Sequence, residues 1–346
     1  MIVWLAYDNF CNAFSMKVLL PVLLFLSASS MAQTTYKTIG TLERYDDAVN
    51  RLLSTDAKAE IIAEGFKWSE GPLWLEKEKT LLFSDIPQNT VYKWTAERGK
   101  EIYLKPSGYT GTVERGGEMG SNALLLDKEG RLVLCQHGDR RMARMDAPLD
   151  KPQSTFVTLA DKYQGKRLSS PNDACFNSKG ELFFTDPPYG LPQQNDNDPA
   201  KEMKWNGVYK VKKNGEVMLL IDSLSRPNGI AFFPGGKRLL VANSDPRKPN
   251  WYVYDVKGDA LINGKFFYSA AGYDRKLPGL PDGLKIDKKG NVYAAGPGGI
   301  YFFNSDGKLL GMLKVPEATS NVALSADEKT LYITNNHQVL RLQMRK

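Results

Sequence analysis

A polar residue followed eight positions later by a glycine recurs along the chain, and this repeat constrains the fold more than any other feature of the sequence. The clearest copies are the pairs Asn122 and Gly130, Asn172 and Gly180, Asn228 and Gly236, and Asp282 and Gly290. Apolar residues and a polar turn separate the two members of each pair, and a second apolar run follows each glycine. Self-similarity in a fixed frame is the signature of a repeat architecture.

Two weaker copies extend the repeat to six units. Glu70 opens EGPLWLEKEKTLLFSD, and Asn321 opens NVALSADEKTLYITNN. The six opening residues, called openers below, are 52, 50, 56, 54 and 39 positions apart. This spacing leaves room for about four short strands in each unit. Runs such as NVYAAG and GIYFFNS, separated by Gly, Asp and Asn turns, are typical of β-hairpins.

Six four-stranded units predict an all-β fold, a six-bladed β-propeller with a central channel. The last unit ends at QVLRLQMRK and lacks an outermost strand, which the run AEIIAEGF before the first opener is expected to supply. An N-terminal strand would then close the last blade and remove an exposed edge. We assign the propeller to residues 59–346, and residues 33–58 to an N-terminal extension with a short helix within Leu42–Ser54.

The first 32 residues are interpreted as a leader and signal peptide. Met16 and Lys17 precede a short apolar stretch that ends in small residues, as in a secretory signal. The apolar stretch is too short to span a bilayer comfortably. We therefore expect translation to start at Met16, cleavage after Ala32, and export to the periplasm or the medium without stable membrane insertion.

Charge and cysteine content disfavour a nucleic-acid site and a Cys/His zinc site. The net charge is +7, but no basic block stands out, which favours a solvated surface over a nucleic-acid site. Cys135 and Cys175 lie in apolar runs and are interpreted as buried thiols, although export would also permit a disulfide between them. The sequence has no CxxC and no Cys/His cluster with zinc spacing.

The six openers are candidates for a metal site. In a propeller blade the first strand is the innermost, so its opening residue can face the channel. Any one opener is better explained as a turn residue, but six in register, with a Glu among them, favour a shared role. All six carry side-chain oxygens, a mixture of carboxylate and amide that suits calcium better than zinc. They are Glu70, Asn122, Asn172, Asn228, Asp282 and Asn321.

Four motifs resemble those of the SMP-30/gluconolactonase/LRE family, in the order that the family has them. They are GFKWSEGPLW, SPNDACFNSKGELFFTDPPYGL, RPNGIAFFPGGKRLLVAN and LPDGLKIDKKGNVYAAGPGG, and the resemblance covers roughly residues 40 to 343. It implies a six-bladed propeller that binds a divalent metal in its channel, most often calcium, with Mn²⁺, Mg²⁺ or Zn²⁺ as alternatives. The ligands that it implies are Glu70, Asn172, Asn228 and Asp282.

One position departs from part of the family. Animal members have an Arg two residues before the Asn of the PND motif, where it contacts the sugar lactone, and this chain has Ser170. The SPND version resembles bacterial gluconolactonases, so we expect other residues to recognise the substrate. The candidates lie in the opener set, in the insert GTVERGGEMGSN and in the loops that follow the second strands: Asn122, Glu118, His137, Tyr189 and Asp245.

The resemblance and the residues together predict hydrolysis of a sugar lactone. The metal would act as a Lewis acid, and a carboxylate would accept a proton from the attacking water. Asp282 is the candidate base, as the resemblance implies. A Ser-His-Asp triad is disfavoured because the chain has no GxSxG elbow and only two His. Two alternatives stay open: another calcium-dependent ester or phosphotriester hydrolase, and a non-catalytic exported propeller that binds sugars or proteins.

Overall fold

The computed structural model describes residues 35–345, and their strands form the predicted six-bladed propeller. Each blade is an antiparallel sheet. Blade 1 consists of Ser69–Leu75, Thr80–Asp85, Thr90–Thr95 and Gly99–Leu104. Blade 2 consists of Ser121–Leu126, Leu132–Gln136, Arg141–Met145 and Phe156–Ala160. Blade 3 consists of Ala174–Phe176, Leu182–Asp186, Gly207–Val211 and Val217–Ile221.

Blades 4 to 6 complete the ring. Blade 4 consists of Pro227–Phe232, Arg238–Asp245, Lys248–Lys257 and Ala260–Ser269. Blade 5 consists of Leu284–Ile286, Val292–Gly296, Gly299–Phe303 and Leu309–Lys314. Blade 6 consists of Thr319–Leu324, Thr330–Asn335, Gln338–Gln343 and Ala59–Glu64. The first strand of each blade contacts the first strand of the next, and the first strand of blade 6 contacts that of blade 1. The first strands therefore surround the channel.

The N-terminal strand closes the last blade, as predicted. Ala59–Glu64 pairs antiparallel with Gln338–Gln343, the last strand of the chain to enter blade 6. Blade 6 thus joins both ends of the propeller sequence in one sheet, and the pairing satisfies backbone groups that would otherwise form an open edge.

The stretch that we assign to the N-terminal extension also pairs with two blades. Thr38–Ile39 adds a fifth strand to blade 6, and Thr41–Arg44 adds a fifth strand to blade 5 by pairing with Leu309–Lys314. A five-residue 3-10 helix follows at Asp47–Arg51, and the Asp46 side chain caps it by accepting the Ala48 N–H at 2.8 Å. A two-stranded hairpin, Lys162–Tyr163 with Lys166–Arg167, lies outside the blades.

The predicted leader, the start at Met16, the cleavage after Ala32 and the signal peptide lie outside the described residues. Within residues 35–345, no helix has the length and apolar character needed to cross a membrane. Cys135 and Cys175 carry free thiols and lie in different apolar clusters, so they do not form a disulfide with each other.

The core consists of six apolar clusters, one between each pair of neighbouring blades in the described chain. Blade 4 shows why the sequences of the strands are continuous apolar runs and do not alternate between apolar and polar residues. Leu240 and Ala242 pack toward blade 5, whereas Leu239 and Val241 pack toward blade 3. Successive side chains of a strand point to opposite faces, and both faces of a blade are covered.

The glycines of the repeat lie at the turn between the first and second strands. Gly130, Gly180, Gly236 and Gly290 have φ of +76°, +78°, +68° and +87°. Residues with a Cβ adopt this left-handed region only at a cost. At the corresponding turns of blades 1 and 6, Lys79 and Glu328 adopt φ of 47° and 58° without a glycine. This difference is why the repeat is weaker in those two units.

The closing strand gives a test of the architecture. Ile62 lies on it, is 6% exposed, and packs in the cluster between blades 6 and 1. We expect Ile62→Ala to lower the free energy of unfolding by about 2–5 kcal/mol, the usual cost of removing buried Ile methyl groups. The matched control is Ile262→Ala on the outer strand of blade 4, where Ile262 is 37% exposed and the expected change is below about 0.5 kcal/mol.

Urea unfolding of the wild type and both variants would measure these values. If Ile62→Ala is as stable as Ile262→Ala, the N-terminal strand is not an integral part of the last blade.

Candidate functional site

Five of the six openers meet at one cavity of about 340 Å³ at the propeller channel. Glu118 and Tyr189 also line it, and Trp68, Ser244, Leu280 and Thr319 complete much of the wall. The openers that line it are Glu70, Asn122, Asn172, Asn228 and Asp282. The structure therefore brings together seven of the ten candidate residues, and the other three, His137, Asn321 and Asp245, do not line the cavity.

Hydrogen bonds between neighbouring blades hold the openers at the channel. Hydroxyl groups of second strands donate to opener carbonyls of the next blade: Ser84 Oγ to Asn122 at 2.8 Å, and Thr185 Oγ1 to Asn228 at 2.9 Å. The backbone N–H of Ala123 donates to the carbonyl of Asn172 at 3.1 Å. Each bond fixes an opener relative to the blade before it, so the openers stay in register around the channel.

Glycines next to three openers allow the inner strands to approach closely. A Cβ at Gly71 would lie 2.2 Å from the carbonyl oxygen of Asn122, and a Cβ at Gly229 would lie 2.3 Å from that of Asp282. At Gly283 a Cβ would lie 2.0 Å from Cγ of Asn321. Real side chains cannot occupy these distances, so the glycines of EGP, PNG and PDG are required by packing at the channel.

Four buried oxygens at this cavity have no hydrogen-bond partner among residues 35–345. They are the Oδ1 atoms of Asn122, Asn172, Asn228 and Asp282. A buried acceptor left without a partner costs about 1–3 kcal/mol, and native proteins leave few such groups. Four at one cavity indicate a partner that is not part of the described chain.

Glu70 is held differently from the other openers. It is 2% exposed, and its Oε2 accepts the Gly71 N–H at 2.5 Å and the Asn321 Nδ2–H at 3.2 Å. Asn321, the sixth opener, does not line the cavity. Its Oδ1 accepts the Val322 N–H at 2.8 Å, so its amide orients Glu70.

The carboxyl groups at the channel have raised pKa values, so their charged forms are disfavoured in the folded protein. Burial raises the pKa of Glu70 to about 8, and the nearby charge of Asp173 acts in the same direction. Burial, followed by the charge of Glu70, raises the pKa of Asp282 well above its usual range. Burial also raises the pKa of Asp173, against the opposing charge of Lys285. Within the described residues none of these three carboxyls forms an ion pair, so a cation placed among them would be strongly favoured.

The donor set fits a hard divalent cation. Two carboxylates and three amide oxygens offer both charge and neutral carbonyl groups, as calcium sites do. Neither His nor Cys belongs to the set, which disfavours zinc. Among residues 35–345 no group of three His, Cys, Asp or Glu is arranged to hold a metal. A site here would therefore depend on the Asn side chains.

His137 lies behind the cavity wall. It is fully buried, and its Nδ1 is 3.0 Å from Oε2 of Glu118, without the alignment of a hydrogen bond. Glu118 itself faces the cavity. His137 thus contacts a residue that lines the cavity but does not line it itself, and its contact with substrate stays a prediction.

Two loop positions fix the mouth of the cavity. The Tyr189 hydroxyl donates to the carbonyl of Ser244 at 3.4 Å, which connects blades 3 and 4 across the wall. Ser170 Oγ donates to the Pro187 carbonyl at 2.6 Å and accepts the Gly190 N–H at 2.8 Å. Ser170 therefore anchors the loop that carries Tyr189, and it does not line the cavity.

Asp245 and Asp173 differ from what the sequence suggests. Asp245 accepts hydrogen bonds from Ser225 Oγ at 2.6 Å and from the Arg247 N–H at 2.8 Å, and it does not line the cavity. Asp173, by contrast, is a third buried carboxyl near the channel that sequence reasoning missed. Its signal is the PND motif itself, because Asp stands there in the position that Gly occupies in PNG and PDG.

Comparison with known proteins finds relatives over most of the chain. Residues 68–337 match the family model described as SMP-30/Gluconolactonase/LRE-like region. A gluconolactonase from Zymomonas mobilis is 38% identical over 313 residues, which cover 88% of this chain and 86% of the relative. A regucalcin from Xenopus laevis is 25% identical over 280 residues, covering 80% and 85%.

A solved structure has the same fold over nearly the whole length. A gluconolactonase from Xanthomonas campestris superimposes with a TM-score of 0.76 at 29% identity, covering 90% of this chain and 99% of its own.

The raised pKa of Glu70 predicts how stability depends on pH when divalent cations are removed. The folded state holds a proton on Glu70 up to about pH 8, whereas the unfolded chain releases it near the ordinary value of 4.5. The folded state therefore binds more protons between these values, and its stability should fall as the pH rises from about 5 to about 8. Urea unfolding in the presence of a chelator measures this slope.

Glu70→Gln removes one of the titrating groups and should make the slope shallower, with the raised pKa values of Asp282 and Asp173 accounting for what remains. Glu97→Gln, at an exposed position, is the matched control and should leave it unchanged. Equal slopes in the wild type and Glu70→Gln would show that Glu70 is not protonated in the folded protein.

Proposed function

The chain belongs to the SMP-30/gluconolactonase/LRE-like family, and we propose that it is a lactonase that opens a sugar lactone with the help of a divalent cation. The observation that carries the proposal is the cavity itself, where openers from five blades place four unpartnered oxygens and two carboxyl groups together. The gluconolactonase relatives support a lactone as the substrate class.

Glu70, Asn172, Asn228 and Asp282 are the residues that would hold the cation. Asn172, Asn228 and Asp282 each present an unpartnered Oδ1, and Glu70 supplies the second carboxylate. Calcium is the ion that this set of oxygens suits best. When bound, the cation would supply a Lewis acid to the carbonyl oxygen of the substrate.

Asp282 is the residue that we assign as general base. Its Oδ1 is buried at the cavity and accepts no hydrogen bond from the described chain, so one oxygen of this carboxylate can contact the cation while the other takes a proton from water. Glu70 is less suited to this role because its Oε2 already accepts two N–H groups.

The rest of the wall would hold the sugar. Asn122 and Glu118 offer acceptors for hydroxyl groups, and Tyr189 offers a hydroxyl at the mouth. Trp68 and Leu280 give the wall an apolar part. A pocket with a few polar groups among apolar ones is typical of small-molecule sites.

Asp282→Asn tests the assignment of the base. The substitution keeps one oxygen at nearly the same position but cannot accept a proton, so we expect kcat/KM for gluconolactone to fall by about 10²–10⁴-fold. Asp306→Asn, an exposed turn residue of blade 5, is the matched control and should retain full activity. Circular dichroism confirms folding, and full activity of Asp282→Asn would exclude it as the base.

The reaction class is tested by assaying gluconolactone, aryl esters and a phosphotriester side by side. The protein is treated with a chelator and then supplied with Ca²⁺, Mn²⁺, Mg²⁺ or Zn²⁺. We expect lactone hydrolysis to be lost with the chelator and restored best by Ca²⁺. Activity that survives the chelator contradicts the role of the cation, and activity on the phosphotriester alone contradicts the substrate class.

Tyr189→Phe separates substrate binding from chemistry. Tyr189 lines the cavity from a wall loop, so the loss of its hydroxyl should raise KM by about tenfold with little change in kcat, the pattern of uniform binding. Tyr252→Phe is the matched control, since that side chain does not line the cavity. A large loss of kcat with unchanged KM would instead place Tyr189 in the chemical step.

A further inference from the structure

A second pocket, of about 260 Å³, lies next to the loops that carry His137 and Tyr189. Three arginines line it, together with Tyr109, Asp139, Leu191 and Pro192. We call it the arginine pocket; its arginines are Arg115, Arg140 and Arg167. It is separate from the cavity at the channel, and no motif of the sequence pointed to it.

None of the three guanidinium groups forms an ion pair with another residue of the described chain. Arg140 is only 6% exposed, and its Nε donates to the carbonyl of Leu168 at 2.8 Å. Its Nη2 is buried without a partner. The Nε of Arg115 is likewise buried and unpartnered. Two charged donors thus lack acceptors at one pocket.

The carboxylate in the pocket wall is engaged elsewhere. Asp139 accepts the Thr110 N–H at 3.1 Å and the Thr110 hydroxyl at 2.7 Å. It also forms an ion pair with Arg141 at 2.9 Å, and Arg141 is not one of the pocket arginines. Both carboxylate oxygens of Asp139 are therefore engaged by Thr110 and Arg141, and its charge acts on Arg115 without forming an ion pair with it.

Three more carboxylates lie near the pocket, and each accepts hydrogen bonds from backbone N–H groups. Asp186 accepts from Ser169 and Ser170, and Asp198 accepts from Ala200. Glu202 accepts the backbone N–H of Arg167 at 2.8 Å and leaves the guanidinium of that residue free of it. Burial, and then the charge of Arg167, lowers the pKa of Arg140, while the charges of Asp186 and Glu202 act in the opposite direction without reversing it.

We propose that the arginine pocket binds a small oxyanion, with Arg140 Nη2 and Arg115 Nε as buried donors and Arg167 as an exposed one. A guanidinium group offers donors in a planar fork that matches phosphate and carboxylate oxygens. An oxyanion here would supply acceptors to both orphaned nitrogens and would offset the repulsion among the three charges. The site is independent of the lactonase proposal.

Arg115 links the arginine pocket, by hydrogen bonds, to two loops beside the channel cavity. Its two terminal nitrogens donate to the carbonyls of Gly138 and Gly190. Gly138 follows His137, which contacts Glu118, and Gly190 follows Tyr189. An oxyanion that fixes Arg115 would therefore also stabilise both loops, and should raise the thermal stability of the protein by mass action.

Calorimetric titration of the intact protein with inorganic phosphate, without added divalent cations, tests the proposal. We expect one saturable site. Arg140→Gln and Arg167→Gln should each weaken binding by about tenfold or more, as expected for loss of a charge-assisted hydrogen bond. Arg51→Gln makes the same change in net charge at an exposed position of the 3-10 helix and should bind as the wild type does.

Three further arms make the result decisive. Asp282→Asn should bind phosphate unchanged, because the pocket is separate from the channel cavity. Gluconate and a phosphorylated sugar in place of phosphate distinguish recognition of a carboxylate from recognition of a phosphoryl group. If Arg140→Gln fails to fold, the exposed Arg167→Gln carries the test.

Two outcomes overturn the proposal. One is the absence of saturable binding of phosphate and of gluconate to the wild type. The other is equal binding by the wild type, Arg167→Gln and Arg51→Gln, which would show that the anion associates with the basic surface and not with the arginine pocket.

Discussion

The close approach of the inner strands at the channel is the constraint on which the rest of the structure depends. Gly71, Gly229 and Gly283 leave no room for a side chain against the opener of the next blade. Larger residues there would separate the blades and move the opener oxygens apart. The oxygen-bearing opener and the glycine that follows it therefore act together. The glycine lets neighbouring inner strands come close enough for oxygens from different blades to contact one ligand.

Concentrating polar groups in this way costs stability, and the fold treats other buried charges differently. Lys210 is fully buried, yet it is paired with Asp259 and lies 3.7 Å from Glu181. The buried oxygens at the channel and the guanidinium nitrogens of the arginine pocket have no such partners. The contrast distinguishes charges that the chain neutralises itself from the two clusters of buried polar groups for which we propose ligands. The six apolar clusters between blades offset the cost of the second class.

The sequence predicts the propeller and its closing strand because a four-stranded repeat leaves a strong pattern, with glycines at left-handed turns and alternating faces that are both buried. The pattern fades where elements are short. The apolar spacing within 42–54 favours a helix, whereas the structure has part of a four-residue strand, Thr41–Arg44, and then a single 3-10 helix. Pairing with Leu309–Lys314 satisfies the backbone of that strand, and a local pattern contains no information about so distant a partner.

The site shows the same division between pattern and context. Register alone places Glu70, Asn172, Asn228 and Asp282 at one cavity, but it gives all openers the same expected role. The surroundings make them different. Two N–H donors, from Gly71 and Asn321, tie Oε2 of Glu70, whereas Oδ1 of Asp282 accepts none. Asn321 occupies an opener position but does not line the cavity. Its amide instead donates a hydrogen bond to the carboxylate of Glu70. Equivalent positions of a repeat thus carry one carboxylate with a doubly bonded oxygen and one with an unbonded oxygen, which is why we propose that Glu70 only holds the cation whereas Asp282 also accepts a proton.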